Sequence, residues 1–497
     1  MSRESMWGEE ASLASATTTW SVASDKDGEL ANCSFSPPAG AVDLGSEALE
    51  GCVFSTAARP TSSSSTCRSS YTKPETLRGL QRMAGVGVVK AVLAITVAAT
   101  ACTRLCLGQG NCFPGENVSS RPIARSVESF GLSLFTQLAS AKSQQSIFIS
   151  PYSIWSALAI AYFGSEGNTK QQLEQVLNVD SKISTYYGYG ALKLLLETDP
   201  SGPVGVRFKS SNRAYFSNQL VLDRCLATII NDGLQTVDFT RPGLARNLIN
   251  AHINATTEGR IPELVESLPA TTRFALINAV FFKGLWATAF KPEDTRRQEF
   301  MIPPGVSGGQ VQMMTQEGTF KHGVSASLGA DILELPYRNS SFCMFLLLPS
   351  NTWSTNSILK NLTPQTFSEA YSAMTQKKVD VALPKFKLET RIEKELMNLL
   401  AQMGVRDLFD GSRSNLSDFT RSERLFVDTV IHQANVEVTE EGTVATAATV
   451  LTGMRSRSPV PKKFICNRPF IFLITDKANS ITLFAGHVVN PAHLARV

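Results

Sequence analysis

Apolar residues recur every three or four positions at Val127, Phe130, Leu134 and Leu138, and again at Leu396, Leu399, Leu400 and Met403. That spacing predicts two amphipathic helices, and Gly404 stands where the second should end. Elsewhere the apolar positions run together. Residues 274–282, 342–348 (followed by Pro349) and 470–474 read as buried strands, and a further extended run at 430–438 carries His432. Helical and extended runs do not alternate regularly, so an α+β fold with large mixed or antiparallel sheets fits better than a doubly wound one.

The pattern also divides the chain. Residues 1–82 show no sustained period and are rich in Ser and Thr, with an unbroken Ser/Thr run at 61–66. Such a segment cannot offset its ordering entropy and is expected to be a disordered leader, or an artefact of the gene model. The next stretch, 83–101, follows Arg78 and Arg82, is apolar at its centre and ends in Ala99-Thr100-Ala101. It has the layout of a cleaved secretory signal; the alternative is an internal hydrophobic anchor interrupted by Lys90. Residues 102–121 read as a linker and 122–497 as one domain. Sequons at Asn117, Asn254, Asn339, Asn361 and Asn415 add to the expectation of a secreted, extracellular glycoprotein.

Composition excludes more than it assigns. Of 497 residues 43% are hydrophobic and 18% charged, which suits a globular protein with a substantial core. A net charge of +4, without clustering, gives no ground for nucleic-acid binding. None of Cys225, Cys343 and Cys466 stands in a CxxC or CxxH pair, so no metal or cofactor is expected. These three are read as buried apolar residues first and disulfide candidates second. With five histidines and no HExxH, GxSxG, GxGxxG or Walker spacing, no enzyme constellation emerges. His432 reads as a structural histidine. Glu440 and Glu441 are adjacent, so an extended chain points them to opposite faces.

One segment is unusual. After Glu440, Glu441 and Gly442 comes a run of small residues, 443–450, then Arg455, Ser456, Arg457, Ser458 and Pro459. Taken alone it is either a flexible linker or an arm able to become a strand. In the second case Thr443, Ala445, Ala447 and Thr449 would share one face and fit between existing strands without overpacking.

Over nearly all of residues 122–497 the chain resembles the serpins. The resemblance is carried by the hinge Glu440-Glu441-Gly442-Thr443 with its small-residue run and by Phe464 to Ile474 around Asn467-Arg468-Pro469-Phe470. Ser150-Pro151-Tyr152-Ser153-Ile154, Asn278-Ala279, Lys283-Gly284 with Trp286, Leu335-Pro336-Tyr337, Leu383-Pro384-Lys385-Phe386 and Gly486 to Pro491 occur in the same order. The resemblance implies three β-sheets, eight or nine helices and an exposed reactive loop.

It also implies a function. A serpin of inhibitory type is an irreversible suicide substrate rather than an enzyme: a target serine protease cleaves the loop, forms an acyl-enzyme, and is trapped as the arm enters the large sheet. The family's usual register puts the scissile bond after Ser456, whereas charge chemistry favours Arg455-Ser456, with Arg457-Ser458 as second choice. An arginine there implies a trypsin-like target in a covalent complex, with the inhibitor itself a monomer. A non-inhibitory serpin acting as a carrier or binding protein is the alternative. Ser150, Ser153, Asn278 and His432 match the family's shutter residues, which hydrogen-bond where the sheet parts. Ser146 and His252 depart from the asparagine and tryptophan common at their positions. Lys462 and Lys463 suit a solvated pair first and a glycosaminoglycan contact second.

Overall fold

Residues 274–284 are apolar at almost every position, and the structure makes them a strand buried on both faces, the centre of a large sheet. The computed structural model describes residues 21–22, 33–34, 112–113, 122–197, 206–230, 233–338, 341–350, 354–442 and 461–491. The chain divides into two units, Met1–Ala84 and Gly85–Val497. In the first, strands β1 (Ser21–Val22) and β2 (Cys33–Ser34) form one short antiparallel pair.

Nine α-helices occur among the described residues of the second unit. They are α1 (Ile123–Ala141), α2 (Pro151–Phe163), α3 (Gly167–Leu177), α4 (Lys182–Glu197), α5 (Arg224–Ile229), α6 (Pro242–Thr256), α7 (Asn356–Asn361), α8 (Pro364–Ser372) and α9 (Lys394–Met403). Both helices expected from periodicity are present, and Gly404 ends α9 at a φ of 128° that favours glycine. No described helix is long and apolar enough to cross a membrane. Residues 83–101 lie outside the described residues.

The first sheet has five strands: β12 (Phe386–Ile392), β13 (Thr429–Val438), β6 (Phe274–Gly284), β4 (Val206–Ser217) and β5 (Leu234–Val237), in that spatial order. The other has nine. Its path runs β14 (Lys462–Ile465), β11 (Thr375–Pro384), β8 (Val306–Ser325), β9 (Ala330–Pro336), β10 (Phe342–Pro349), β15 (Phe470–Asp476), β16 (Ile481–Val488), β3 (Ile147–Ile149), with β7 (Arg296–Ile302) also on β8. The twenty-residue β8 explains why the expected second and third sheets are continuous. Its early residues pair with β7, its middle with β11 and its last four with β9, so one strand serves two sheet segments in turn.

Two layers of packing hold the five-stranded sheet in place. Helix α2 is buried along its whole length, as expected of a helix that is apolar all round. Pro151 at its first turn and the Ser150 hydroxyl, accepting the Ser153 N–H at 3.3 Å, fix where it starts. On the opposite face, Ala245, Ile249 and Ile253 of α6 form one cluster with Ala275, Ile277, Ala279 and Ile431 of β6 and β13.

The cysteine reading needs one correction. Cys225 is not a free buried thiol but is disulfide-bonded to Cys112, 113 residues earlier, because α5 packs where residues 112–113 meet the folded unit. Phe113 is 5% exposed and tilts against Phe163 and Tyr186. Cys343 and Cys466 are free and buried, as expected, and burial pushes both thiols well above their ordinary range.

Candidate functional site: a parallel seam and its hinge

Strands β6 and β13 are neighbours and run parallel, in register from Thr429 opposite Ala275 to Asn435 opposite Phe281. Every other pairing within the five-stranded sheet except β4–β5 is antiparallel. The parallel pair matters because β13 is the strand that leads into the small-residue segment. A segment that turned back after β13 would run antiparallel to β13 and, because the pair is parallel, antiparallel to β6 as well. The seam between them is therefore matched in polarity to the chain beyond it.

The seam is closed by a buried cluster. His432, fully buried on β13, faces Asn278 on β6, which faces Asn212 on β4, so the three side chains lie in one row across the sheet. His432 Nδ1 donates to Asn278 Oδ1, and Nε2 accepts the Ser150 N–H at 3.2 Å. That arrangement requires a neutral imidazole, and burial holds its pKa down to about 3. Asn278 Nδ2 donates to the Ser153 carbonyl at 2.9 Å, to Ser153 Oγ at 2.5 Å and to Asn212 Oδ1. Ser153 Oγ donates to Asn212 Oδ1 at 2.6 Å, and Ser150 Oγ to the Leu483 carbonyl at 2.7 Å. The four residues taken from the family pattern thus come together. Asn212 was missed: it sits within the uninterrupted polar run Lys209-Ser210-Ser211-Asn212-Arg213, and nothing marked it as inward-facing.

At the far end of β13 the chain is held by backbone and side chain together. Trp286 N–H donates to the Glu441 carbonyl at 3.0 Å, Phe290 N–H to the Glu440 carbonyl at 2.7 Å, and the Trp286 indole to the Thr439 carbonyl at 3.1 Å. Trp286 is stacked on Tyr337, ring centres 4.7 Å apart, and is almost fully buried. Glu440 accepts from the Thr295 hydroxyl at 2.9 Å and pairs with Lys385 at 3.3 Å. Burial pushes that carboxyl up, but its own backbone N–H, Thr295 and Lys385 outweigh this and hold it below the usual carboxylate range.

Gly442 closes the hinge. It has φ 138°, and a Cβ there would meet the Gly284 carbonyl oxygen, with Leu285 Cα at 2.7 Å and the Trp286 nitrogen at 2.8 Å. Only glycine fits. Neither Thr295 nor Lys385 carries a motif that assigns it to the hinge, although Lys385 lies within one of the matched segments.

Thr443, Ala445, Ala447, Thr449, Arg455, Ser456, Arg457 and Ser458 lie outside the described residues, as do Asn117 and Asn339. Asn254, Asn361 and Asn415 are exposed, as are Lys462 and Lys463 at the start of β14. At the two departures from the family pattern, Ser146 Oγ accepts the Val489 N–H at 3.0 Å and the His252 ring lies 3.1 Å from Ser211 Oγ. Burial, with help from Arg213, lowers the His252 pKa.

A family model described as Serpin (serine protease inhibitor) matches residues 125–491. The chain belongs to the serpin family. Among curated serpins it is 34% identical over 387 residues to serine protease inhibitor 88Ea of Drosophila melanogaster, covering 73% of this chain and 90% of that one. It is 34% identical over 375 residues to leukocyte elastase inhibitor of Sus scrofa, with 73% and 97% covered. Among solved serpins, native protease nexin-1 with heparin superposes with a TM-score of 0.66 at 29% identity, covering 74% of this chain and 99% of that one. Serpins are serine protease inhibitors as a family, and the α+β fold with its nine described helices is theirs.

Proposed function

We propose that this serpin is an irreversible, suicide-substrate inhibitor of arginine-cleaving, trypsin-like serine proteases. The observation that carries the reading is the parallel β6–β13 seam, joined through the Gly442 hinge to an arm made of small residues. Residues 443–455 number thirteen, enough to lie along the eleven residues of β6. A new strand there exchanges one parallel ladder for two antiparallel ones. Each added backbone bond contributes about 1 kcal/mol net, so roughly ten of them give a drive of about 10 kcal/mol. A target serine hydroxyl attacks the carbonyl carbon at the scissile bond, Arg455-Ser456 being favoured, and the new amino terminus departs with a proton to leave an acyl-enzyme. Insertion then carries the acylated protease away before water reaches the ester.

The disulfide between Cys112 and Cys225 supports a secreted protein, because such bonds persist in oxidising compartments. Exposure of Asn254, Asn361 and Asn415 supports glycosylation at those sequons. Exposed Lys462 and Lys463, with a relative crystallised with heparin, favour an added contact to an anionic polysaccharide.

The deciding experiment is incubation with trypsin-like and elastase-like proteases, followed by denaturing gels and mass spectrometry of the released fragment. A covalent complex with the trypsin-like enzyme and cleavage after Arg455 is the expected result. Clean loop cleavage with fully active protease, and no gain in heat resistance, would instead identify a carrier.

A further inference from the structure

Helix α1 buries a carboxylate on a face that is otherwise apolar. Glu128 is 8% exposed, beside buried Val127 and Leu132. Both of its oxygens are used on a single residue of β16: Thr482 N–H donates to Oε2 at 2.6 Å, and the Thr482 hydroxyl donates to Oε1 at 2.9 Å. Thr482 stands at a β-bulge, beyond the stretch Ala485–His487 that β3 covers. Between β15 and β16 the register passes from Ile474 opposite Phe484 to Thr475 opposite Thr482, leaving Leu483 as the extra residue. A bulge takes backbone groups out of the ladder, and when buried they must bond elsewhere.

Two backbone groups at the bulge bond to side chains from outside β16. Glu128 takes the Thr482 N–H, and the Leu483 carbonyl takes the Ser150 hydroxyl at 2.7 Å. Ser150 is the residue whose own N–H reaches His432 Nε2. Bonds and one peptide link therefore run from Glu128 through Thr482, Leu483 and Ser150 to His432 and Asn278 at the seam.

We infer that Glu128 is a positioning residue for the shutter: by holding the β16 bulge it aims the Leu483 carbonyl at Ser150, and so sets how readily β6 and β13 part. The inference rests on the proposed insertion of the arm into the seam.

The test is the rate at which the intact protein takes up a synthetic peptide with the sequence of residues 443–455, followed by native gel or a fluorescent label. Glu128→Leu should speed uptake about tenfold, equivalent to about 1.4 kcal/mol, within the range of about 1–3 kcal/mol for leaving a buried donor without its partner. Ser150→Ala should do the same, and the double variant should be no faster than about threefold beyond either single one, since both act on one path. Glu128→Gln, which keeps an oxygen for the Thr482 N–H, should stay within about threefold of the parent. Glu128→Asp, charged but shorter, carries the test if the leucine variant does not fold, and should show an intermediate acceleration. Unchanged uptake in a variant of lowered unfolding midpoint, or rates that multiply in the double variant, would reduce Glu128 to general core support. Failure of the parent protein itself to take up the peptide would overturn the insertion reading first, and this inference with it.

Discussion

His432 and Asn278 stand opposite one another across the β6–β13 seam, with the imidazole Nδ1 donating to the amide oxygen. A strand entering there must break that bond, because the two residues would then be separated by two strand spacings, about 10 Å. Asn278→Ala should therefore weaken the intact protein more than the cleaved one. Losing a buried partner costs about 1–3 kcal/mol, which for a domain of this size lowers the melting midpoint by roughly 1–4 °C. Calorimetry on both forms tests it; equal falls in the two would place the role of Asn278 elsewhere than at the seam.

Three buried groups give a pH dependence whose sign can be worked out. His432 is held down to about 3 and His487 down to about 4, in both cases by burial, against 6.5 in the unfolded chain. The unfolded state therefore binds more protons below pH 6.5, and stability falls as the pH drops from 6.5 toward 4. Glu128 works in the other direction. Burial raises its carboxyl to about 7 from 4.5, more than its two bonds to Thr482 lower it, so its contribution is complete below pH 4.5 and fades as the pH rises to 7. Each group contributes a slope of up to about 1.4 kcal/mol per pH unit. Two histidines outweigh one carboxyl between pH 4.5 and 6.5, so that stability rises across this window. His432→Gln should flatten the rise, as urea midpoints at pH 5.0 and 6.5 will reveal.

Glu440→Gln keeps the bulk of the hinge side chain while removing its pairing with Lys385. The pair is partly exposed, so the expected loss of global stability is below about 1 kcal/mol. The larger effect should fall on partitioning: a loosened hinge alters the balance between trapping and simple cleavage. The number of inhibitor molecules consumed per protease inactivated should change at least about twofold. An unchanged ratio would mean that the backbone bonds to Trp286 and Phe290 hold the hinge by themselves.

Substitutions in the arm separate cleavage from insertion. Arg455→Ala should abolish inhibition of trypsin-like proteases; if Arg457→Ala does so in its place, the scissile bond is the second candidate. Thr443→Arg should leave cleavage intact yet convert the inhibitor into a substrate, since a guanidinium would have to be forced into the sheet. Gel analysis for a covalent band, alongside fragment masses, distinguishes the outcomes.

Cys225→Ser removes the link to Cys112. A bridge across 113 residues restrains a long loop in the unfolded chain, and its loss typically costs about 2–4 kcal/mol. Thermal unfolding with and without reductant should show the parent falling to the level of the variant. A variant as stable as the oxidised parent would count against the bond.

How much of this was legible in the sequence depended on whether a property was local. The periodicity of α1 and α9 and the largely apolar runs of β6, β10 and β15 are read directly, because each element's own pattern encodes its burial. The meeting of Ser150, Ser153, Asn278 and His432 was reached through resemblance; no spacing announces that residues more than a hundred positions apart share one cluster. Asn212 and Thr295 escaped because their roles come from register between strands and from the end of a short turn. Cys112–Cys225 escaped because pairing depends on where α5 packs, which one cysteine's neighbours do not disclose. The continuity of the nine-stranded sheet likewise comes from the length of β8, and only the paired register reveals it.

The polarity match at the β6–β13 seam does not record whose chain supplies the strand. On the proposed insertion, any extended donor of suitable direction and small enough side chains would pair with β6 and β13 in the same way, including the equivalent arm of a neighbouring molecule. Crowding and mild warming should therefore favour head-to-tail chains of this protein. Its useful concentration has a ceiling set by the same geometry that arms it.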